Sequence, residues 1–206
     1  MKTTKYIVAA LFAGLLSIFS TGAFAALTAP QLQALKADIL ANPDLAAQPA
    51  GPDGSFAIAA LYNLEASPIF VVWRTVTPIA DIENAITWAN FTPTDTPDAS
   101  QTWMNRALAC QGKQFNLQIM IQGKALISSG RANIRAGLND ATTNIPSGVG
   151  GALLSGGWLT IKAAMTRNAT RAERLFATGT GTSGTPGDLV FEGKLTYQDI
   201  EQARAS

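Results

Sequence analysis

Prolines and glycines interrupt this chain repeatedly, and the interruptions restrict it to short and medium-length segments of regular structure. The sequence holds 10 prolines and 18 glycines in 206 residues. Proline stops a helix and glycine weakens it. A turn is expected at Gly51-Pro52-Asp53-Gly54, and breaks between elements are expected at Asn42-Pro43, Ser128-Ser129-Gly130 and Pro146-Ser147-Gly148. Ser67-Pro68 begins a short apolar stretch, Ile69 to Trp73, which is either extended or buried. Most segments between these turns repeat apolar residues at helical spacing, which predicts a mainly α fold.

Capping patterns locate several of the predicted helices. Thr28 and Gln31 have capping-box spacing, and apolar residues follow them at helical spacing as far as Ile39. Similar signals predict helices from Ser55 to about Leu64, after Thr77-Pro78, from Ala132 to Ala141 and from Tyr197 to Ala205. Leu189 to Gly193 has the pattern of a short strand. The expected fold is a compact multi-helix single domain with a short β element near the C-terminus.

The segment from about Pro97 to Lys124 fits two structures. Apolar and polar residues alternate from Gln114 to Ile121, which is the period of a strand. Apolar residues also recur at helical spacing from Trp103 onward, and helix formers dominate the segment. We favour one long helix. A second long helix is expected from about Ala152 to Phe176.

The first 25 residues have the three parts of a secretory signal peptide. Lys2 and Lys5 are positive, Tyr6 to Phe19 is apolar, and Ala23-Phe24-Ala25 is a small-x-small cleavage site. The apolar run is shorter than the roughly 20 residues that cross a bilayer. A cleaved signal is therefore favoured over an uncleaved anchor. It implies export to the periplasm, with residues 26–206 as one helical domain.

Charge is divided unevenly along the predicted mature chain. Residues 26–100 carry two basic and eight acidic residues, a net charge of −6, whereas residues 101–206 carry eleven basic and six acidic residues, a net charge of +5. Such a division can orient subunits head to tail in an assembly. Two solvated faces of unlike sign would produce the same division. The favoured interpretation is the second one.

Residues that carry enzyme chemistry are scarce. The sequence contains no histidine and one cysteine, Cys110. Histidine-based catalysis, zinc sites and iron–sulfur sites are thereby excluded. Cys110 lies among apolar neighbours, which is typical of a buried, inert thiol. The carboxylates are too sparse for a calcium site or for a pair of catalytic acids. We predict no catalytic residue, no metal, no cofactor and no small-molecule substrate.

Basic residues form the densest candidate contact site. Within the predicted helix from Ala152 to Phe176, Arg167, Arg171 and Arg174 fall on one face, and Lys162 lies about one turn earlier. Arg131 and Arg135 form a smaller pair of the same kind. These side chains are candidates for contact with a nucleic acid backbone or an acidic neighbouring subunit. A solvated helix face is an equally good explanation.

Gly179, Gly181 and Gly184 form a literal G-x-G-x-x-G. The dinucleotide-binding fingerprint needs a strand before it and a helix after it. Here a predicted helix precedes the glycines, and Pro186 with a predicted strand follows. Nucleotide binding is therefore not expected. The loop is either mobile or becomes ordered against a partner during assembly.

A family resemblance extends over almost all of residues 26–206. It rests on LTAPQLQALKADI (27–39), GSFAIAALYN (54–63), ASP (66–68) with VW (72–73), WMNRALACQGKQFNLQ (103–118), RANIRAGLNDATTNIPSGVGGALLSGGW (131–158) and ATRAERLFATGTGT…LVFEGKLTYQDIEQAR (169–204). In these stretches the chain resembles uncharacterised virion-morphogenesis proteins of tailed phages and prophages. The resemblance implies a non-enzymatic head–tail connector or neck adaptor that forms a homo-oligomeric ring. The implied partners are portal, tail or capsid proteins, with non-specific DNA contact through arginine.

The signal peptide pattern and the resemblance imply different compartments. Connector proteins assemble in the host cytoplasm and end in the virion, whereas a cleaved signal directs a chain to the periplasm. The family-like region begins at Leu27, next to the predicted cleavage site. An exported, soluble periplasmic binding or interaction protein is therefore the alternative function.

Overall fold

Short α-helices dominate the structure, a computed structural model that describes residues 26–97 and 101–206. The helices are α1 (Ala29–Ala41), α2 (Pro43–Ala46), α3 (Pro52–Tyr62), α4 (Ile79–Ala85), α5 (Gln101–Ile121), α6 (Ala132–Thr142), α7 (Trp158–Ala164), α8 (Arg171–Phe176) and α9 (Tyr197–Ala205). Two 3₁₀ segments, Trp88–Phe91 and Val149–Gly151, add single turns. The predicted mainly α fold is confirmed. The predicted signal peptide lies outside the described residues.

Two pairs of short antiparallel strands accompany the helices. Strand β1 (Val71–Trp73) pairs with β4 (Thr166–Asn168), and β2 (Thr77–Pro78) pairs with β3 (Leu126–Ile127). The predicted strand from Leu189 to Gly193 is wrong, since this segment has no strand assignment. The edge of β1 that does not pair with β4 is hydrogen-bonded to the glycine loop, because the Val71 amide donates to Gly181 O and the Trp73 amide donates to Gly187 O.

The predicted helix from Ala152 to Phe176 is also wrong. The structure divides this segment into a 3₁₀ turn, α7, β4 and α8. Thr166-Arg167-Asn168 contains two poor helix formers, and it gains hydrogen bonds by pairing with β1. Thr170 then begins a new helix, since its side chain caps the Glu173 amide and the Glu173 carboxylate accepts from the Thr170 amide.

Other helix predictions hold with local changes. The long helix between Pro97 and Lys124 is confirmed as α5. Gln31 Oε1 accepts from the Thr28 amide at 2.9 Å, as the capping-box spacing predicts. Helix α3 begins at Pro52, earlier than predicted, because proline at the first helical position has a helical φ and needs no amide partner.

The core consists of two apolar clusters. The first joins α4, α5, α6 and α7 and contains Trp73, Ile82, Phe91, Cys110, Leu117, Leu138, Ile161 and Met165. The second joins α1, α3, α8 and α9 and contains Leu35, Ile39, Ile58, Tyr62, Ala172, Phe176, Ile200 and Ala203. Along the chain, β4 separates the two clusters, since Met165 before it belongs to the first and Ala172 after it belongs to the second.

Candidate functional site

The basic residues that the sequence groups on one helix face lie on different elements. Arg167 is the middle residue of β4, whereas Arg171 and Arg174 belong to α8. Lys162 lies in the last turn of α7, and its ammonium donates to Gly184 O. The shared face is therefore a wrong prediction, because the helix that would carry it is interrupted.

Arg167 is occupied by carboxylates of its own chain. Its guanidinium donates to both carboxylate oxygens of Glu173 at 2.7 Å, and to Glu192 Oε1 at 3.1 Å. Glu173 is buried, with 2% of its surface exposed. Burial alone would raise the pKa of Glu173, but hydrogen bonds from Arg167 and the Thr170 amide outweigh it, so the pKa lies below its ordinary value. This ion pair stabilises the β4–α8 connection.

Arg171 connects α8 to α1 and α3. Its Nη2 lies 3.2 Å from Asp38 Oδ2, and its guanidinium carbon lies 4.7 Å from the centre of the Tyr62 ring. The Tyr62 hydroxyl donates to the same carboxylate of Asp38. Burial, together with this hydrogen bond to Asp38, raises the pKa of Tyr62 above its ordinary value. The phenol therefore remains a hydrogen-bond donor at neutral pH.

A cleft of about 670 Å³ opens beside these residues, and we call it the arginine cleft. It is lined by Asp38, Asn42, Leu61, Leu64, Glu65, Ser67, Arg171, Arg174 and Leu175. Arg174 is exposed, and its Nη1 donates to the carbonyl oxygens of Ser67 and Pro68 at 3.1 and 3.3 Å. Within the part of the chain that the structure describes, Arg174 forms no ion pair. The cleft thus offers carboxylates, guanidinium groups and leucines to a partner.

The two residues of the smaller basic pair, Arg131 and Arg135, have different surroundings. Arg135 donates to Asp188 Oδ1 at 2.9 Å and lies over the Trp73 ring at 4.6 Å. Arg131 precedes α6 at its N-cap position and is exposed. Only Arg131 of this pair has a side chain directed mainly to solvent.

The glycine loop is fixed against β1. Gly181 O accepts from the Val71 amide at 2.7 Å, and the Thr178 and Asp188 amides exchange hydrogen bonds at 3.0 Å. Gly179 and Gly181 both have positive φ, of 94° and 66°. A Cβ at Gly181 would lie 2.2 Å from the Phe70 ring. The Thr182 hydroxyl accepts from the Thr185 amide at 2.9 Å and closes the turn around Gly184. The composition of the loop predicts either mobility or order against a partner, whereas the structure shows ordering contacts within the chain itself.

Helix α5 exposes a line of large apolar side chains, which we call the α5 stripe. Its members are Met104, Leu108, Phe115 and Ile119, with exposed fractions from 52% to 69%. Cys110 and Leu117 of the same helix are fully buried, so the stripe faces away from the core. Near its C-terminal end lies the exposed Trp88, which borders a hollow together with Gln118 and Gln122.

A second exposed apolar group, which we call the Val149 patch, lies in the connection from α6 to α7 and in the first turn of α7. It consists of Val149, Leu153 and Leu159, each more than 60% exposed. Gly150 and Gly151 in the adjoining 3₁₀ turn have positive φ, and the resulting bend presents Val149 outward. The glycines and the proline of this segment predict only a joint between helices.

The sequence contains the signal for the α5 stripe in the spacing of its apolar residues. Met104, Leu108, Phe115 and Ile119 fall on one side of a helix of 3.6 residues per turn, and Cys110 and Leu117 fall on the other. A helix that is apolar on two opposite sides has more apolar surface than one core can cover. The orientation of α5 then decides which side remains exposed.

Residues 26–97 and 101–206 contain no cluster of three or more potential metal ligands. None of the helices within those ranges has the length and apolar character needed to cross a membrane. Comparison of the chain with family models, curated proteins and solved structures finds no match.

Proposed function

We propose that the chain is a non-enzymatic structural protein of a tailed phage or prophage, a head–tail connector or neck adaptor that works as an oligomer. The observation that carries the proposal is the α5 stripe. Four large apolar side chains that are exposed on one face of a single helix are typical of a surface that contacts another protein. The sequence resemblance to virion-morphogenesis proteins supplies the kind of assembly.

The arrangement of the exposed surfaces supports a subunit with several neighbours. The α5 stripe, the Val149 patch and the arginine cleft lie on different elements of the fold. A subunit in a ring needs two unlike surfaces for its neighbours in the ring, and a connector needs a further surface for the proteins above or below it. The arginine cleft, with both signs of charge and apolar leucines, suits a segment of a portal, tail or capsid protein.

The basic side chains favour protein contact over DNA contact. Lys162, Arg135, Arg167 and Arg171 already donate to acceptors of their own chain. Phosphate binding would have to compete with these acceptors. Arg174 also donates to its own chain, but to carbonyl oxygens only, and it forms no ion pair among the described residues. We assign it to an acidic or polar segment of a protein partner in the arginine cleft, and we assign only weak, non-specific DNA contact to exposed side chains such as Arg131.

Incorporation into particles tests the proposal. Particles are purified after induction of a lysogen that carries the gene, and the chain is sought by mass spectrometry. We expect the wild-type chain in the particles. The double variant Leu108→Asp and Phe115→Asp should be absent, because charge on the stripe opposes an apolar contact. Its control is Val190→Asp, another exposed apolar residue outside the three surfaces, which should be incorporated normally.

Two results would contradict the proposal. If the wild-type chain is absent from intact particles, it is not a virion protein. If the stripe variant is incorporated as well as the control, the stripe is not the surface through which the chain joins the particle. Circular dichroism of each purified variant establishes that the helices are intact.

The signal peptide pattern in residues 1–25 favours a second candidate, an exported periplasmic interaction protein. In this case the α5 stripe would bind a partner outside the cytoplasm. N-terminal sequencing of the native product separates the two candidates. A mature chain that begins at Ala26 and is recovered from the periplasm supports export. A chain recovered from virions or the cytoplasm without signal processing supports the connector proposal.

A further inference from the structure

We propose that the α5 stripe binds the α5 stripe of a second copy of this chain, with the two helices antiparallel and related by a two-fold axis. This inference builds on the proposed assembly function and names the partner of the stripe. It rests on the spacing of the apolar residues, on the residues at the centre of the helix and on the placement of the charges.

The spacing of the stripe is symmetric. The pairs Met104/Ile119 and Leu108/Phe115 share one midpoint, which lies between Gln111 and Gly112. A two-fold axis through this midpoint aligns Leu108 of one copy with Phe115 of the other, and Met104 with Ile119. Every large apolar side chain of the stripe then contacts an apolar side chain of the partner. A two-fold interface requires this self-complementarity, because the same patch forms both sides.

The residues at the midpoint suit a close crossing of two helices. Gly112 is exposed, and nothing within 4 Å would contact a Cβ there. Glycine inside an exposed helix costs about 1 kcal/mol relative to alanine, and the structure of one copy offers no compensating contact. In the paired arrangement the two copies of Gly112 face each other and let the backbones approach. Gln111 meets its own copy beside them, and an amide can both donate and accept a hydrogen bond.

No charge opposes the contact. The basic residues of α5 in the described part of the chain, Arg106 and Lys113, are directed to carboxylates of their own chain, Asp95 at 2.7 Å and Asp140 at 3.7 Å. The exposed positions beside the stripe, such as Gln118, are uncharged amides. Antiparallel helices also place opposite ends of their dipoles together, whereas parallel helices would place like ends together.

The size of the contact agrees with a reversible pair. Helix α5 has 21 residues and is about 30 Å long at 1.5 Å per residue. A contact confined to one helix from each copy is expected to be smaller than the large interfaces that are typical of obligate dimers. Since a two-fold contact closes after two subunits, a ring must form through other surfaces. The Val149 patch and the arginine cleft contain no residue of α5, and they are the candidates for that purpose.

Cysteine cross-linking tests the pairing and its register. The full chain is prepared as two single variants, Leu108→Cys and Phe115→Cys, which are mixed and treated with a mild oxidant. We expect a covalent dimer in the mixture, and only background amounts with either variant alone. In the antiparallel register, two copies of residue 108 lie about 10 Å apart along the helix axis, which is beyond the reach of a disulfide. The native Cys110 is buried and serves as the unreactive background.

Three outcomes overturn the pairing. A covalent dimer from Leu108→Cys alone indicates parallel helices. Equal cross-linking in all samples indicates random collision. No dimer in the mixture, with both variants folded by circular dichroism, shows that the stripe binds something else. Particle incorporation is scored separately, so a chain that enters particles without this cross-link keeps its proposed function and loses only the pairing.

A variant at the midpoint gives an independent measurement. Gly112→Met adds bulk where a single copy has open space, so the fold should be preserved and the cross-link yield should fall at least fivefold. Ala136→Met places the same side chain at an exposed position of α6 and should leave the yield unchanged. An unchanged yield with Gly112→Met would contradict a crossing at this residue.

Discussion

Arg167 of strand β4 and Glu173 of helix α8 form a bidentate ion pair, in which both nitrogen–oxygen distances are 2.7 Å. Arg167 also forms an ion pair with the exposed Glu192, whose Oε1 lies 3.1 Å from Arg167 Nη2. A residue that the sequence placed on a contact face is therefore part of the framework. Its role in stability can be separated from any role in assembly.

Removal of Arg167 should destabilise the fold. Arg167→Ala leaves the Glu173 carboxylate buried without its charged partner, and the loss should be about 3 kcal/mol of unfolding free energy. Glu192→Gln breaks only the exposed half of the network and should cost less than about 1 kcal/mol. Urea unfolding followed by circular dichroism measures both. Equal, small losses would show that Glu173 does not depend on Arg167.

Glu173 should make stability depend on pH in the acid range. Its pKa in the folded chain lies below the ordinary value of 4.5. The folded state therefore binds the proton less readily than the unfolded state, and stability falls as pH decreases through this range. We expect the unfolding free energy of the wild type to decrease more steeply from pH 6 to about pH 3 than that of Glu173→Gln.

The unfolding free energy of Glu173→Gln should still decrease to some extent as the pH falls. The hydrogen bond from Arg106 lowers the pKa of Asp95 too, so this carboxylate contributes with the same sign. Parallel pH profiles of the wild type and Glu173→Gln would contradict the assignment to Glu173.

Two glycines of the G-x-G-x-x-G should respond differently to alanine. Gly181→Ala places a Cβ at a φ of 66° and 2.2 Å from the Phe70 ring, so we expect a loss of about 1–3 kcal/mol. At Gly184 the nearest atom to a new Cβ is Thr182 Oγ1 at 3.7 Å, and alanine should change stability by less than about 0.5 kcal/mol. Thermal unfolding gives both values. Equal effects would mean that the loop is not held against β1.

Cys110 should be unreactive in the folded chain. It is fully buried, and burial raises the pKa of its thiol. Because the thiolate is the reactive form, a thiol-specific reagent such as DTNB should label the chain only after urea unfolds it. Rapid labelling of one thiol per folded chain would contradict the packing of α5 against α6.

The sequence was sufficient where capping residues and helical spacing agree. Helices α1, α5, α6 and α9 were predicted, because each combines a start signal or a sustained apolar period with a clear end. The region after Gly157 was not, because a helical period also runs through Thr166 to Asn168. There, pairing with β1, which is distant in the chain, outweighs the local preference.

The sequence predicted which basic residues form the site, but it did not predict their partners or their arrangement. Sequence spacing identifies Arg167, Arg171 and Arg174 as neighbours, but it does not show that Glu173, Glu192 and Asp38 reach them from other elements. The α5 stripe was visible as a period but not as a surface, because exposure depends on which side of α5 packs against α6. Contacts between residues that are far apart in sequence therefore determine both the pairing of the arginines and the exposure of the α5 stripe.

Sedimentation velocity of the purified full chain over a range of concentrations tests the central claim, assembly through the α5 stripe, most directly. The wild-type chain and the Val190→Asp control should show a mass above that of the monomer that rises with concentration. The double variant Leu108→Asp and Phe115→Asp should remain monomeric throughout. A wild-type chain that stays monomeric at every concentration, or a stripe variant that associates as the wild type does, would contradict the claim.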